Sequence, residues 1–312
     1  MRIDIAEAAK YIHTTINTGS IRHHLIIGFG ETLWDILPTG KQLGGAPANF
    51  SFFASQFGNT SYAVSALGRD ALGDETIDAL QQRGLHYLMP RIDYPTGTVE
   101  VTLDVNGIPS YEIRQDVAWD HIPFTPELED LARRCDAVCW GSLAQRSSTS
   151  RRTIRQFIER TADNCLRIFD INLRQHFYSR EIIEDSLQLC HILKINDEEI
   201  QIIARMFGYE GLSMEEVGQT LLNKYSLNYL ALTCGAIGSY VFSADETSYL
   251  ETPRVKVVDT VGAGDSFTGT FCSAILDGTP LRKAHQRAVE VSAYVCTQAG
   301  AMPSLPDHLR SF

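Results

Sequence analysis

Short apolar runs recur along this chain with helical patterns between them, and that alternation restricts its architecture more than any other feature. The runs are Leu25–Phe29, Ser61–Leu67, Ala137–Trp140, Arg167–Asp170, His191–Ile195 and Tyr229–Thr233. The helical patterns cover about 47–57, 71–83, 149–161, 180–189, 197–206, 213–225, 265–277 and 281–297. Strands that alternate with helices on this scale predict an α/β fold, a mostly parallel sheet with helices on both faces. Ligands of such sheets bind beyond the carboxyl ends of the strands. A chain of 312 residues, 44% hydrophobic, has room for one large domain or two small ones. Gly97–Arg114 breaks the rule: it alternates with period two across Asn106-Gly107, a strong hairpin signal, and should project from the main sheet.

The segment Asp259–Phe271, DTVGAGDSFTGTF, carries the chemistry. A β-branched run, Arg254–Val258, leads into Gly262-Ala263-Gly264. Phe267, Phe271, Ala274 and Ile275 then fall on helical spacing, and Gly278 supplies a stop. Gly262 and Gly264 leave backbone N–H groups uncovered ahead of the positive end of a helix, an anion cradle suited to phosphate. Asp265 stands at its edge as a proton acceptor, the pairing that phosphoryl transfer to an alcohol requires. The plainer reading is a tight strand-to-helix connection with Asp265 as N-cap. Other glycine motifs do not fit. There is no Walker loop, and Gly28-Phe29-Gly30 lacks the third glycine of a dinucleotide fingerprint.

A second glycine turn, Gly44-Gly45-Ala46-Pro47-Ala48-Asn49-Phe50, precedes another helix, with Pro47 tolerated in the first turn. Phe50, Phe53, Ala54 and Phe57 mark a buried face that Gly58 ends. The Asn49 amide donates and accepts, which suits a ligand with adjacent hydroxyls such as a sugar.

A net charge of −11 argues against nucleic acid or an anionic membrane as partner, so an anionic substrate must be drawn by local positive sites. The cysteines are seven, scattered through apolar segments without metal-ligand spacing, and read as reduced thiols of a cytoplasmic protein. The nine histidines are dispersed and read as structural or surface residues. Tyr225–Ala244 reads as a strand, a glycine turn and another strand rather than a membrane span. Residues 1–23 lack a secretory h-region and are read as an N-terminal extension, with Ile3–Ile12 able to form a short amphipathic helix.

Together GGAPANFSFFASQFG and DTVGAGDSFTGTF closely resemble the two signatures of the ribokinase-like, PfkB-type carbohydrate kinases. The resemblance runs from about Leu25 to Pro306. Gly30-Glu31-Thr32-Leu33-Trp34-Asp35 and Asp170-Ile171-Asn172-Leu173-Arg174 look most like the bacterial fructokinases. It implies a three-layer αβα sandwich over residues 24–312, with lid strands at about 37–44 and 95–116 that cover the sugar and often meet another subunit in a homodimer.

In this resemblance Asp265 is the catalytic base, with Gly262, Ala263 and Gly264 as the anion hole. Asp35, Gly44, Gly45, Asn49 and Arg174 bind the sugar. Thr233, Gly235 and Gly238 form a TxGxxG loop for ATP, joined by Asn172 and Asn196. Asn196 and Glu199 match an NxxE motif that places Mg2+ through water. Asp259 and Val261, with Ala299-Gly300-Ala301, are where relatives hold a monovalent cation, K+. Without the resemblance, Asn196–Glu199 reads as the charged first turn of a helix and Asp35 as a surface turn residue. A carboxyl with an ordinary pKa of about 3.9 is already ionised at neutral pH, so Asp265 is expected to need no tuning. The implied reaction takes D-fructose to fructose 6-phosphate. 2-Keto-3-deoxygluconate, a nucleoside, or a sugar-binding relative without catalysis are the alternatives.

Overall fold

The computed structural model describes residues 23–37, 40–103 and 109–312. The chain opens with β1 (Leu25–Phe29), β2 (Leu33–Leu37), β3 (Gly40–Gly44), α1 (Ala46–Ser55) and β4 (Thr60–Val64). Next come β5 (Leu67–Gly68), α2 (Ala71–Gln82), β6 (His86–Leu88), β7 (Arg91–Ile92), β8 (Gly97–Leu103) and β9 (Pro109–Ile113). The middle holds α3 (Pro126–Arg134), β10 (Ala137–Trp140), α4 (Ser148–Ile158), β11 (Leu166–Asp170), α5 (Arg180–Leu189), β12 (Ile192–Asn196), α6 (Asp197–Phe207) and α7 (Met214–Lys224). It ends with β13 (Tyr229–Cys234), β14 (Gly238–Phe242), β15 (Thr247–Glu251), α8 (Ala263–Leu276) and α9 (Leu281–Val295).

The main sheet has nine strands in the order β15-β14-β13-β12-β11-β10-β1-β4-β6. Pairing is parallel from β13 through β6, and β14 and β15 extend it antiparallel. Helices cover both faces, which is why its strands are unbroken apolar runs rather than alternating ones. Neighbouring residues serve opposite layers. Ile27, Phe29 and Phe169 pack with Phe157 and Leu187 under α4 and α5, whereas Ile26 and Ile168 pack with Phe50 and Phe267 under α1 and α8. This is the expected αβα sandwich.

Four other strands form a separate sheet, order β3-β2-β8-β9, with β2–β8 parallel and the outer pairs antiparallel. The β8–β9 hairpin is in place. Its pairs Val99–Ile113 and Leu103–Pro109 centre on residue 106, while the Asn106-Gly107 turn lies outside the described residues. The N-terminal extension, including Ile3–Ile12, also lies outside them. The small sheet begins at Leu33, ahead of the expected residue 37, because β2 itself belongs to it.

Several expectations need correcting. Ser61–Leu67 is two pieces, β4 and the start of β5, and β5 pairs with β7 in a sheet of its own. Arg254–Val258 is not a strand but an exposed loop, with Val257 and Val258 more than half exposed, so β-branched composition alone misled. The helix α3 is an addition; Thr125 caps it through Leu128 N and Pro126 occupies its first turn, both legible start signals. Helix α1 has no single buried face: Pro47 to Ala54 are all buried, Asn49 and Ser51 included. Ser266 to Ala274 of α8 are equally enclosed.

All seven cysteines are free thiols, and Cys135 and Cys165 approach to 3.6 Å between sulfurs. Burial pushes the Cys190 thiol up to about 12, so it is inert at neutral pH. His285 is fully buried between Ser239 and Ser248 and tethers α9 to β14 and β15. Burial lowers it to about 4, a neutral structural histidine. Among the described residues no helix is long and apolar enough to cross a membrane.

Candidate active site

The two glycine turns lie 216 residues apart in sequence and meet in space: Asn49 Nδ2 donates to Asp265 Oδ2 at 2.7 Å. Gly262 caps α8 with φ of 80°, and a side chain there would lie 2.4 Å from the Ala301 carbonyl oxygen. Only glycine suits both demands. Gly264 has freer surroundings; its nearest neighbour is Lys194 Nζ, 3.3 Å from where a Cβ would stand. The Ala263 carbonyl accepts from Ser292 Oγ at 3.0 Å, which fixes this helix start to α9. The N-cap is therefore Gly262, and Asp265 sits inside the first turn rather than capping it.

Behind Asp265 lies a buried charged pair. Lys194 Nζ stands 3.5 Å from Asp170 Oδ1, and Thr268 Oγ1 donates to Asp170 Oδ2 at 2.8 Å. Burial works against the Lys194 charge, but Asp170, Glu199 and Asp265 outweigh it and hold its pKa above the ordinary value. For Asp265, burial first and then the Asp170 charge push the carboxyl up to about 6, against Asn49, Lys194 and Arg174. The expectation of an untuned base is thus corrected. Asp265 is still mostly ionised at pH 7, but it is a stronger base than a free carboxylate.

Gly45, with φ of 119°, lies against the Glu31 carbonyl at 2.5 Å from a would-be Cβ. Gly44 leaves room for Asp35, whose Oδ2 is 2.8 Å from the position a Cβ would take. Asp35 lies within β2, facing β3, not in a surface turn. Burial raises its pKa and Arg174 opposes the rise.

The sequence assigns no role to Glu31 or Lys194, and marks Asp170 only as the first residue of the Asp170–Arg174 segment. Glu31 is 2% exposed, and its Oε2 has no hydrogen-bond partner among the described residues. Burial pushes it up to about 7, with its own backbone N–H and Arg174 pulling down and Asp265 pushing up. The signal was a charged residue wedged between the end of a buried strand and Thr32. Lys194 lies inside a run whose only legible property is that of a strand.

Arg174 is exposed and its Nη1 donates to the Leu173 carbonyl at 3.0 Å, and its charge holds down the pKa of Glu31, Asp35 and Asp265 alike. Asp170, Asn172 and Arg174 do not lie along one strand. The strand stops at Asp170, and Asn172 turns left-handed at φ of 42°. Asn is among the few side-chain residues that accept this conformation readily. Its carbonyl accepts from Ser142 Oγ.

Asn196 and Glu199 form a reciprocal capping box on α6: Asn196 Oδ1 accepts from Glu199 N at 2.8 Å, and Glu199 Oε2 from Asn196 N at 2.9 Å. Glu199 Oε1 also takes the Leu173 N–H at 2.9 Å. The plain first-turn reading of these residues is therefore satisfied in full. Thr233 pairs with Asn196 across β12–β13, and Gly235 is open with φ of 52°. Gly238 instead serves packing, since Leu250 O of β15 would meet a Cβ at 2.6 Å. Asp259 accepts from Val261 N and Gly300 N, which brings its loop against 299–301.

Residues 5–308 match the family described as pfkB family carbohydrate kinase. An ATP-dependent 6-phosphofructokinase of Thermoanaerobacterium thermosaccharolyticum is 28% identical over 303 residues, 90% of this chain and 91% of that one. A fructokinase of Solanum tuberosum is 27% identical over 314 residues, 93% and 95% of the two chains. The crystal structure of a fructokinase from Vibrio cholerae with fructose, ADP and calcium shares the fold, with a TM-score of 0.76 at 21% identity, over 91% of this chain and 96% of that one.

Proposed function

From a chain that belongs to the pfkB family of carbohydrate kinases, phosphotransferases with an alcohol as acceptor, we propose a kinase that converts D-fructose and ATP to fructose 6-phosphate and ADP. The observation that carries this reading is the Asn49–Asp265 hydrogen bond of 2.7 Å, which joins a hydroxyl-binding amide to a base at the edge of an anion cradle. Asp265 accepts the proton of the primary hydroxyl. The N–H groups of the Gly262–Gly264 turn and the start of α8 face the transferred phosphoryl group, with Lys194 adding positive charge beside Gly264. Such preorganised donors typically contribute roughly 3–4 kcal/mol each to the barrier.

On the acceptor side, Glu31, Asp35 and Asp265 share the influence of Arg174. That excess of carboxylates suits a neutral polyhydroxy compound and repels an acceptor bearing a carboxylate or phosphate. The small sheet of β2, β3, β8 and β9 serves as the lid over the sugar and as the surface for a second subunit.

ATP lies along the open loop at Thr233–Gly235. Among the described residues no three His, Cys, Asp or Glu side chains gather into a metal cage. Magnesium in kinases uses one or two carboxylates plus phosphate oxygens, and Glu199 with Asn196 fits that sparse donor set. When bound, the ion offsets charge on the phosphate oxygens. A monovalent cation beside Asp259 and Val261 belongs to the same reading, supported by the closeness of that loop to Gly300.

A coupled ADP-release assay across fructose, ribose, 2-keto-3-deoxygluconate, fructose 6-phosphate and adenosine tests the proposal. Fructose is expected to give the highest kcat/KM. A higher value for either acidic acceptor would overturn the electrostatic argument, and no ADP release with any acceptor would overturn the kinase reading.

A further inference from the structure

Among the described residues, two side chains of contrasting character fasten the edge of the small sheet to the rest of the protein. Strand β9 is an edge strand, so its outward backbone groups need partners from elsewhere. Arg146 donates to the Arg114 carbonyl, just past β9, at 2.6 Å. It is itself immobilised: Asp120 accepts from it at 2.8 and 2.9 Å, both side chains are 6% exposed, and the guanidinium lies over Trp119 and Phe177. The second fastening is Gln175, whose Nε2 donates to the Tyr111 carbonyl of β9 at 2.7 Å.

Gln175 is exposed and holds a left-handed backbone, φ of 49°, that a glutamine adopts reluctantly. It directly follows Arg174. On the other side of Arg174, Leu173 N is pinned to Glu199 Oε1, and the Arg174 carbonyl accepts from Phe177 N. The loop therefore spans from the α6 capping box to the edge of the small sheet, with Arg174 in the middle.

We propose that Gln175 is a positioning residue: its bond to the β9 edge keeps the loop in its left-handed turn and so sets the place of Arg174, whose Nη1 donates to the Leu173 carbonyl at 3.0 Å, coupling the small sheet to acceptor binding. Release of that bond lets residue 175 relax out of the left-handed region, which rotates the 174–175 peptide and displaces the guanidinium. This inference rests on Arg174 serving the acceptor, as in the reading above.

Steady-state kinetics of Gln175→Ala, Gln175→Gly, Arg174→Ala and the Arg174→Ala/Gln175→Ala double variant test it. Gln175→Ala should raise the KM for fructose roughly fivefold, the effect of one neutral hydrogen bond, with the KM for ATP and Tm unchanged. Gln175→Gly, which keeps the left-handed backbone freely, should raise it less. In the Arg174→Ala background the Gln175 substitution should have no further effect. The same fold-change in both backgrounds, or an unchanged KM in Gln175→Ala, would overturn the coupling while leaving the acceptor role of Arg174 standing. An unchanged KM in Arg174→Ala alone would remove that role and the coupling with it.

Discussion

The two glycine turns are built alike and furnished oppositely. In each, one glycine lets backbone meet backbone, Gly45 against the Glu31 carbonyl and Gly262 against that of Ala301. In each, the other glycine leaves room for a charged side chain. Gly44 makes space for the carboxylate of Asp35, and Gly264 for the ammonium of Lys194. The α1 turn has no acidic or basic residue in its first turn, whereas the α8 turn carries Asp265. In the proposed reading, one half of the site offers carboxylates to hydroxyls and the other offers backbone N–H groups and the Lys194 ammonium to phosphate. Asp265 stands between the two, bonded to Asn49 of the first turn and seated in the helix start of the second.

The severest way to break this comparison is Asp265→Asn, which makes both turns amide-bearing. Turnover should fall at least roughly a thousandfold, measured as kcat with saturating fructose, because the general base is lost. The same variant should be more stable. The folded pKa of Asp265, about 6, lies above its unfolded value, so the proton it prefers to keep stabilises the fold at acidic pH. That stabilisation is lost as pH rises through about 6. The Tm gain of Asp265→Asn should therefore be present at pH 7 and vanish near pH 4.

A smaller effect separates the glycines by role. Gly262→Ala meets both the left-handed backbone and the Ala301 carbonyl, and should lower Tm by roughly 5–10 °C. Gly264→Ala meets only the flexible end of Lys194, so Tm should move by about 2 °C or less while kcat falls about tenfold. Equal Tm losses would erase the distinction between a packing glycine and a space-making one.

The smallest effect sharpens the boundary. Arg174 and Lys194 both hold the Asp265 pKa down. Arg174→Ala should move the acid limb of kcat/KM for fructose, expected near pH 6, toward higher pH. A limb that stays in place or moves the other way would show that the guanidinium does not act on the base.

The parallel sheet was legible because its strands are buried on both sides and read as unbroken apolar runs. The catalytic segments were legible because glycines and a lone carboxylate cluster at helix starts. What escaped has physical causes. Valines at 255, 257 and 258 satisfy a strand propensity, yet the segment joins no sheet, meeting the end of α9 only where Val258 N donates to the Cys296 carbonyl, and stays exposed. The Asp170–Lys194 pair was invisible because each sits within its own strand and only the β11–β12 pairing brings them together. The tuning of Asp265 follows from that pair and from enclosure, which no linear reading contains. Glu31 escaped because nothing in its linear surroundings marks a charge that the fold encloses.

Helices α1 and α8, which bear the two turns, are surrounded by protein along most of their length. Elements so encased have no slack to swing aside. In the proposed reading, an acceptor is admitted by displacement of the four-stranded sheet, whose margin, among the described residues, is tied by Arg146, itself held by Asp120, and by the exposed Gln175. On that reading, admission of the acceptor and the chemistry rest on different elements of the fold, joined through Arg174.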